Sequence, residues 1–178
     1  MTTWTFDTLT RASLSELEGL MRRGVAPALD SIVGWEFRGW NVLPAYGVPL
    51  FWAMSNLRFI KAFVERDGRI AGYNLKVCRG GRHTPWFCTP SDKSRTLLGF
   101  YDVFEPGVSA KGVEYPRALF LDYAQPENTL FTGRTLEDYV VQVMPENPDL
   151  LLGKAYLPLG KVRFGGFFVL QRLRQARD

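Results

Sequence analysis

Apolar and polar positions alternate from Ile32 to Val42, and the alternation sorts the side chains onto two faces. Trp35 and Phe37 fall on one face, and Glu36, Arg38 and Trp40 on the other. Gly34 and Gly39 interrupt the run. Glycine inside a strand marks a bulge, a bend or the close approach of another backbone, and a strand that curls into a barrel needs such points.

Further along, Phe59 to Glu65 and Arg69 to Cys78 flank Asp67-Gly68, the strongest two-residue hairpin signal in the chain. That turn sets Ile60 opposite Leu75, Ala62 opposite Tyr73 and Val64 opposite Ala71. Gly80-Gly81 reads as a second hairpin, leading into a strand over His83 to Cys88 with Leu75 opposite Trp86, Tyr73 opposite Cys88 and Val77 opposite Thr84. Cross-strand partners share a face. One face of this meander therefore carries Ile60, Ala62, Val64, Tyr73, Leu75, Val77, Trp86 and Cys88. The other carries Phe59, Lys61, Phe63, Asn74, Lys76 and Phe87. The first is the more apolar and is expected to point inward.

Strands follow over 95–105, 114–124, 136–144, 151–157 and 161–172, separated by Gly- and Pro-containing breaks. Leu130 and Phe131 are expected to tuck in from the loop over 125–135. Leu150 to Leu152 and Phe164 to Phe168 are apolar on both faces, as strands buried on both sides are. An exposed face for a second copy of the chain, a homodimer partner, is the other reading of these runs. Before the strands, Ser13 and Glu16 form a capping box. Leu14, Leu17, Leu20 and Met21 make an apolar stripe that stops at Gly24, an amphipathic helix suited to plugging one end of a barrel. Trp4 and Phe6 anchor the segment before it, and a short helix is read over Val48 to Asn56. Eight to ten successive strands with short connections predict a mainly β chain: an antiparallel up-and-down β-barrel, in a single domain over residues 1–178, with a short N-terminal helix. A sandwich is the alternative.

Composition changes this picture little. The chain has 178 residues, 46% hydrophobic and 22% charged, an ordinary globular balance. The net charge of +4 is spread along the sequence. No basic-then-apolar leader and no long apolar window stand out, so a cytoplasmic protein with reduced thiols and no membrane span is expected.

The layout of a short N-terminal helix, a Gly/Trp-bearing first strand and a β meander resembles the calycins, that is, lipocalins and fatty-acid-binding proteins. Lipocalins carry Gly-x-Trp on that strand, with a basic residue late in the barrel packed on the tryptophan. Here the pairs are Gly34-Trp35 and Gly39-Trp40, and both Arg163 and Arg172 are candidates for the basic partner. The stretch Gly34 to Gly39 is also similar to the Gly-x-Trp-x-Gly barrel proteins of bacteria. The resemblance implies a barrel holding a small apolar molecule.

Candidate chemistry is sparse. His83 is the single histidine, which removes most metal, haem and triad mechanisms. Cys78 and Cys88 do not face each other in the expected register, so they are read as free structural thiols. No cofactor is called for. Asp122-Tyr123 and Asp138-Tyr139 form a repeated pair. Alternation sets the aspartates outward and the tyrosines inward. Convergence of both carboxylates in the cavity, with Lys154 or Arg163 as electrostatic partner, would instead support acid/base work. Arg79, Arg82, Lys93 and Arg95 form a basic edge with Trp86 and Phe87 interleaved. An inward Trp86 argues against nucleic acid as a partner.

Three functions are carried forward. The first is binding of a small hydrophobic or amphipathic molecule by Trp35, Phe37, Tyr73, Leu75, Trp86, Tyr123 and Tyr139, with Arg117 meeting a ligand carboxylate at the barrel mouth. The second is an isomerase- or lyase-type enzyme with Asp122 or Asp138 as base. The third is a structural, oligomeric barrel filled by its own side chains.

Overall fold

The computed structural model describes residues 3–43, 57–129, 133–159 and 162–177. The short helix expected over Val48 to Asn56, and the positions of Leu130 and Phe131, lie outside them.

Eight antiparallel strands close into an up-and-down barrel in sequence order: β1 (Trp35–Val42), β2 (Arg58–Arg66), β3 (Arg69–Leu75), β4 (Leu97–Phe104), β5 (Leu119–Asp122), β6 (Glu137–Gln142), β7 (Leu150–Leu159) and β8 (Val162–Gln175). The barrel closes where β8 pairs with β1, and the register slips there by one residue between Glu36 and Phe37. Three helices precede the strands: α1 (Phe6–Leu9), α2 (Leu14–Arg23) and α3 (Leu29–Ile32). Ser13 and Glu16 close the expected capping box on α2. The Ser13 amide donates to Glu16 Oε2 at 2.9 Å, and the Glu16 amide donates to Ser13 Oγ at 3.2 Å.

Asp67 and Gly68 both take positive φ, 53° and 72°, as a tight turn between right-twisted strands requires. The register they set is the expected one, with Ile60 opposite Leu75, Ala62 opposite Tyr73 and Val64 opposite Ala71. The second hairpin is corrected. Residues 83–88 form no named strand, and β3 pairs instead with β4. Val77 bridges to Cys88 rather than facing Thr84, so Gly80-Gly81 lies within a wider loop. A second glycine pair permits a tight turn but does not impose one when the flanking chain packs better elsewhere.

Two apolar clusters separate the faces of the strands. One draws Phe37, Phe63, Tyr101, Leu121, Val140, Leu151 and Phe168 from strands all around the ring. Lys61 lies within 6 Å of aromatic rings from β2, β4 and β8 and from Tyr123 at the end of β5. Strands on opposite sides can meet only inside, so this cluster is the barrel interior. The other cluster joins Ile60, Ala62, Tyr73, Leu75, Val141, Leu152 and Val169 to Phe6, Leu17, Leu20, Met21 and Trp86. It is the outer wall, covered by α1, α2 and the 76–96 segment.

The meander face expected to point inward is therefore the outer one. It is the more apolar because the chain's own helices and loop bury it. Likewise, α2 lies along β7 on the outside rather than plugging an end. The interior end is met by α3, whose Ile32 is fully buried in the inner cluster. Leu151 and Phe168 face in while Leu150, Leu152 and Phe167 face out, so β7 and β8 are buried on both sides as their sequences predict.

A buried lysine, carboxylate and phenol inside the barrel

β2 alternates so that Phe59, Lys61 and Phe63 enter the barrel. Lys61 is 1% exposed, yet it carries an amine to the barrel axis. Its Nζ donates to Asp138 Oδ2 at 3.0 Å and to the Tyr123 hydroxyl at 2.6 Å. The Tyr123 hydroxyl in turn donates to the same Asp138 oxygen at 2.7 Å. Amine, phenol and carboxylate thus form a closed triangle. Asn74 adds a donor from β3, with Nδ2 3.3 Å from the Tyr123 oxygen, while its buried Oδ1 accepts no hydrogen bond. The ring of Tyr101, held by its own hydroxyl on the Ala62 carbonyl at 2.7 Å, lies 4.4 Å from the Lys61 amine.

Burial dominates the electrostatics. It pushes the Lys61 ammonium below the ordinary lysine range, against the opposing pull of Asp138. It also lifts the Tyr123 and Tyr101 phenols well above theirs, and the Asp138 charge adds to the rise. Both phenols are therefore protonated donors at neutral pH. The glycines make the space: a Cβ at Gly153 would strike the Phe168 ring, and one at Gly39 the Phe59 ring. Below the polar triangle the interior is packed by rings, with Phe37, Phe63 and Tyr101 stepping 5.7 and 6.0 Å from centre to centre.

The residues expected to line one cavity divide between the faces. Trp35, Phe37 and Tyr123 are interior. Tyr73, Leu75, Trp86 and Tyr139 are buried on the outer wall. Trp86 donates from Nε1 to the Phe59 carbonyl and is flanked by Phe6, Arg38 and Arg58, so its ring is not free to stack on a base. Arg117 donates to the carbonyls of Arg22 and Arg23 at the end of α2. The two aspartates also part. Asp122 points outward to Lys111 at 2.7 Å, while Asp138 points inward. Tyr123 is accordingly interior and Tyr139 exterior, so the expected outward-aspartate pattern holds for one pair and reverses for the other. Lys154, one candidate electrostatic partner, serves Glu18 on the outer wall at 2.5 Å.

Lys61 was missed because the apolar-face argument set it outward with Asn74. The readable signal was Phe59-x-Lys61-x-Phe63, a lysine between two phenylalanines on one strand face, where a solvated face would be polar throughout.

Two further arrangements complete the picture. Arg172 lies over the Trp35 ring at 4.3 Å and donates to the Ser31 carbonyl at 2.6 Å. This is the late-barrel basic residue on a first-strand tryptophan that the resemblance implied. Outside the barrel, an open groove of about 560 Å³ between α2 and the strands is lined by Leu14, Glu18, Lys154, Tyr156 and Phe167 among others. Its charges are matched within the protein, since Glu18 receives Arg22, Lys154 and the Tyr115 hydroxyl. Among the described residues, no cluster of histidine, cysteine and carboxylate suits a metal ion, and no helix is long and apolar enough to cross a membrane.

The closed eight-stranded antiparallel barrel is consistent with a calycin-like fold. No family model matches the chain, and no curated protein or solved structure does so.

Proposed function

We propose that this barrel binds a small amphipathic molecule in its interior, in the manner of the calycins it resembles, with the Lys61–Tyr123–Asp138 triangle fixing the ligand's polar end. The observation that carries the reading is the buried charge pair. Replacing such a pair by packed apolar side chains is often neutral or stabilising, so stability alone gives no reason to keep Lys61 and Asp138 inside a shell of rings. A binding site does: a few polar groups set orientation within an apolar wall. The unsatisfied Oδ1 of Asn74 beside the triangle supports the same reading. Phe59 is partly exposed at that end of the barrel, and its ring stands over Gly39, where no Cβ blocks its swing. It is the ring a ligand displaces on entry.

The test is native mass spectrometry of the purified protein, followed by organic extraction and ANS titration of the stripped chain. A retained small molecule, or a saturable ANS response lost in Lys61→Met, is expected. A clean apo mass with no ANS response favours a barrel filled solely by its own side chains.

A further inference from the structure

The triangle is balanced in charge, and that restricts what it can receive. A ligand carboxylate drawn to Lys61 would also meet Asp138, whose Oδ2 lies 3.0 Å from the amine. A ligand amine would compete with Lys61 itself. A neutral, polarised group meets neither objection. Among neutral groups, a carbonyl is also the electrophile that a desolvated lysine attacks.

We propose that Lys61 forms a Schiff base with a small aldehyde or ketone held in the barrel, with Asp138 managing the protons. This rests on the interior-binding reading above and specifies its ligand class. The ammonium first passes a proton to Asp138. The freed Nζ lone pair forms a bond to the carbonyl carbon as the C=O π pair moves to oxygen. That oxygen takes the proton back from Asp138, giving a cationic carbinolamine whose nitrogen carries two hydrogens. The nitrogen then passes one proton to Asp138, and the hydroxyl takes it up and leaves as water while the nitrogen lone pair forms the C=N bond. The product is an iminium, with the Asp138 carboxylate as its counter-ion. In total, ammonium and aldehyde give iminium and water, with no redox partner needed. The Tyr123 hydroxyl and the open Oδ1 of Asn74 are placed to hold the carbinolamine hydroxyl. The Tyr101 and Phe168 rings, 4.4 and 5.3 Å from Nζ, keep bulk water from hydrolysing the product.

Cinnamaldehyde is a suitable probe, with cinnamyl alcohol as the matched control lacking the carbonyl. The full chain is incubated with each, reduced with sodium cyanoborohydride, and mapped by peptide mass spectrometry. The protein has six lysines: Lys61, Lys76, Lys93, Lys111, Lys154 and Lys161. The expected result is a reduced adduct on Lys61 formed about tenfold faster than on the other five, and loss of that preference in guanidinium. Lys61→Arg keeps the charge and abolishes the adduct. Quenching of tryptophan fluorescence is followed in parallel. Saturable quenching by both probes with Lys61 unlabelled overturns the Schiff base and leaves the binding reading standing. No quenching and no Lys61 adduct overturn both.

Discussion

Breaking the Lys61–Asp138 pair from either side should cost far more than removing it whole. The two side chains are 1% and 5% exposed, and their charged atoms are 3.0 Å apart. Lys61→Met leaves a carboxylate in the barrel with only the Tyr123 hydroxyl donating to it. Asp138→Leu leaves an ammonium facing aromatic rings. Each uncompensated charge costs about 3–5 kcal/mol. The double variant Lys61→Met/Asp138→Leu carries no buried charge, and the new side chains refill most of the volume. Its residual penalty is the Tyr123 hydroxyl, which loses its acceptor but keeps the Asn74 donor, at about 1–3 kcal/mol. Apolar replacement offsets part of that. The double variant should therefore be more stable than either single one, with a coupling energy of several kcal/mol. With an m-value of about 2 kcal/mol/M in urea, each single variant should move its midpoint down by about 2 M, and the double by less than about 1 M. Urea melts of the four proteins, followed by tryptophan fluorescence, measure this directly. Additive losses, or single variants within about 1 kcal/mol of the parent, would refute the account of a desolvated, mutually dependent pair.

Other consequences are open to simpler assays. Cys78 is exposed and Cys88 is 1% exposed with its thiol pushed up to about 11, so Ellman's reagent at pH 8 should titrate one thiol in the native protein and two in guanidinium. Burial raises the phenols of Tyr101, Tyr115 and Tyr123 above their unfolded value of about 10, so these three should stay silent at 295 nm in the native protein at pH 11. The native state then holds more protons than the unfolded one, and these groups' contribution to stability should be constant below about pH 10 and fall above it. Arg172→Met should cost about 1–3 kcal/mol in a thermal melt, and Arg172→Lys should recover only part, because an ammonium does not lie flat on the Trp35 ring or reproduce the guanidinium fork.

The strand succession was legible because turn chemistry is local. Asp67-Gly68 specified its register residue by residue, and the Ser13–Glu16 capping box fixed the start of α2. Which face of each strand points inward was not legible, because that depends on how separately read pieces join. Trp35 and Phe37 share the inner cluster and Trp40 packs on the outer one, as the alternation of β1 predicts. The 60/62/64 face of β2 was set inside as well, although Phe37 pairs with Lys61 and Glu36 with Ala62. No readable turn joins β1 to β2, so nothing in the sequence coupled the two parities, and the more apolar face won by default. The same gap explains Asp122 and Asp138. Cross-strand pairing of Leu121 with Asp138 brings Asp138 in, and the long segment between those strands hides this.

An outer wall covered by its own chain also changes where a site can be. In an uncoated barrel the apolar face is the core, and the ligand shares it. Here α1, α2 and the 76–96 segment consume the outer apolar face in packing, with Phe6, Leu17, Met21 and Trp86 filling it. The ion pairs on that side are satisfied in place, as with Glu36 between Arg95 and Arg174 at 2.7 and 2.6 Å. Outside, Arg58 Nε is buried without a partner; inside lie an amine below its ordinary range, a shared carboxylate oxygen, and an amide oxygen with no donor. A fold that needed only to be stable would have placed its polar remainder on the solvated side. A desolvated charge pair beside an amide oxygen with no donor makes Lys61 the residue on which chemical and binding experiments should converge.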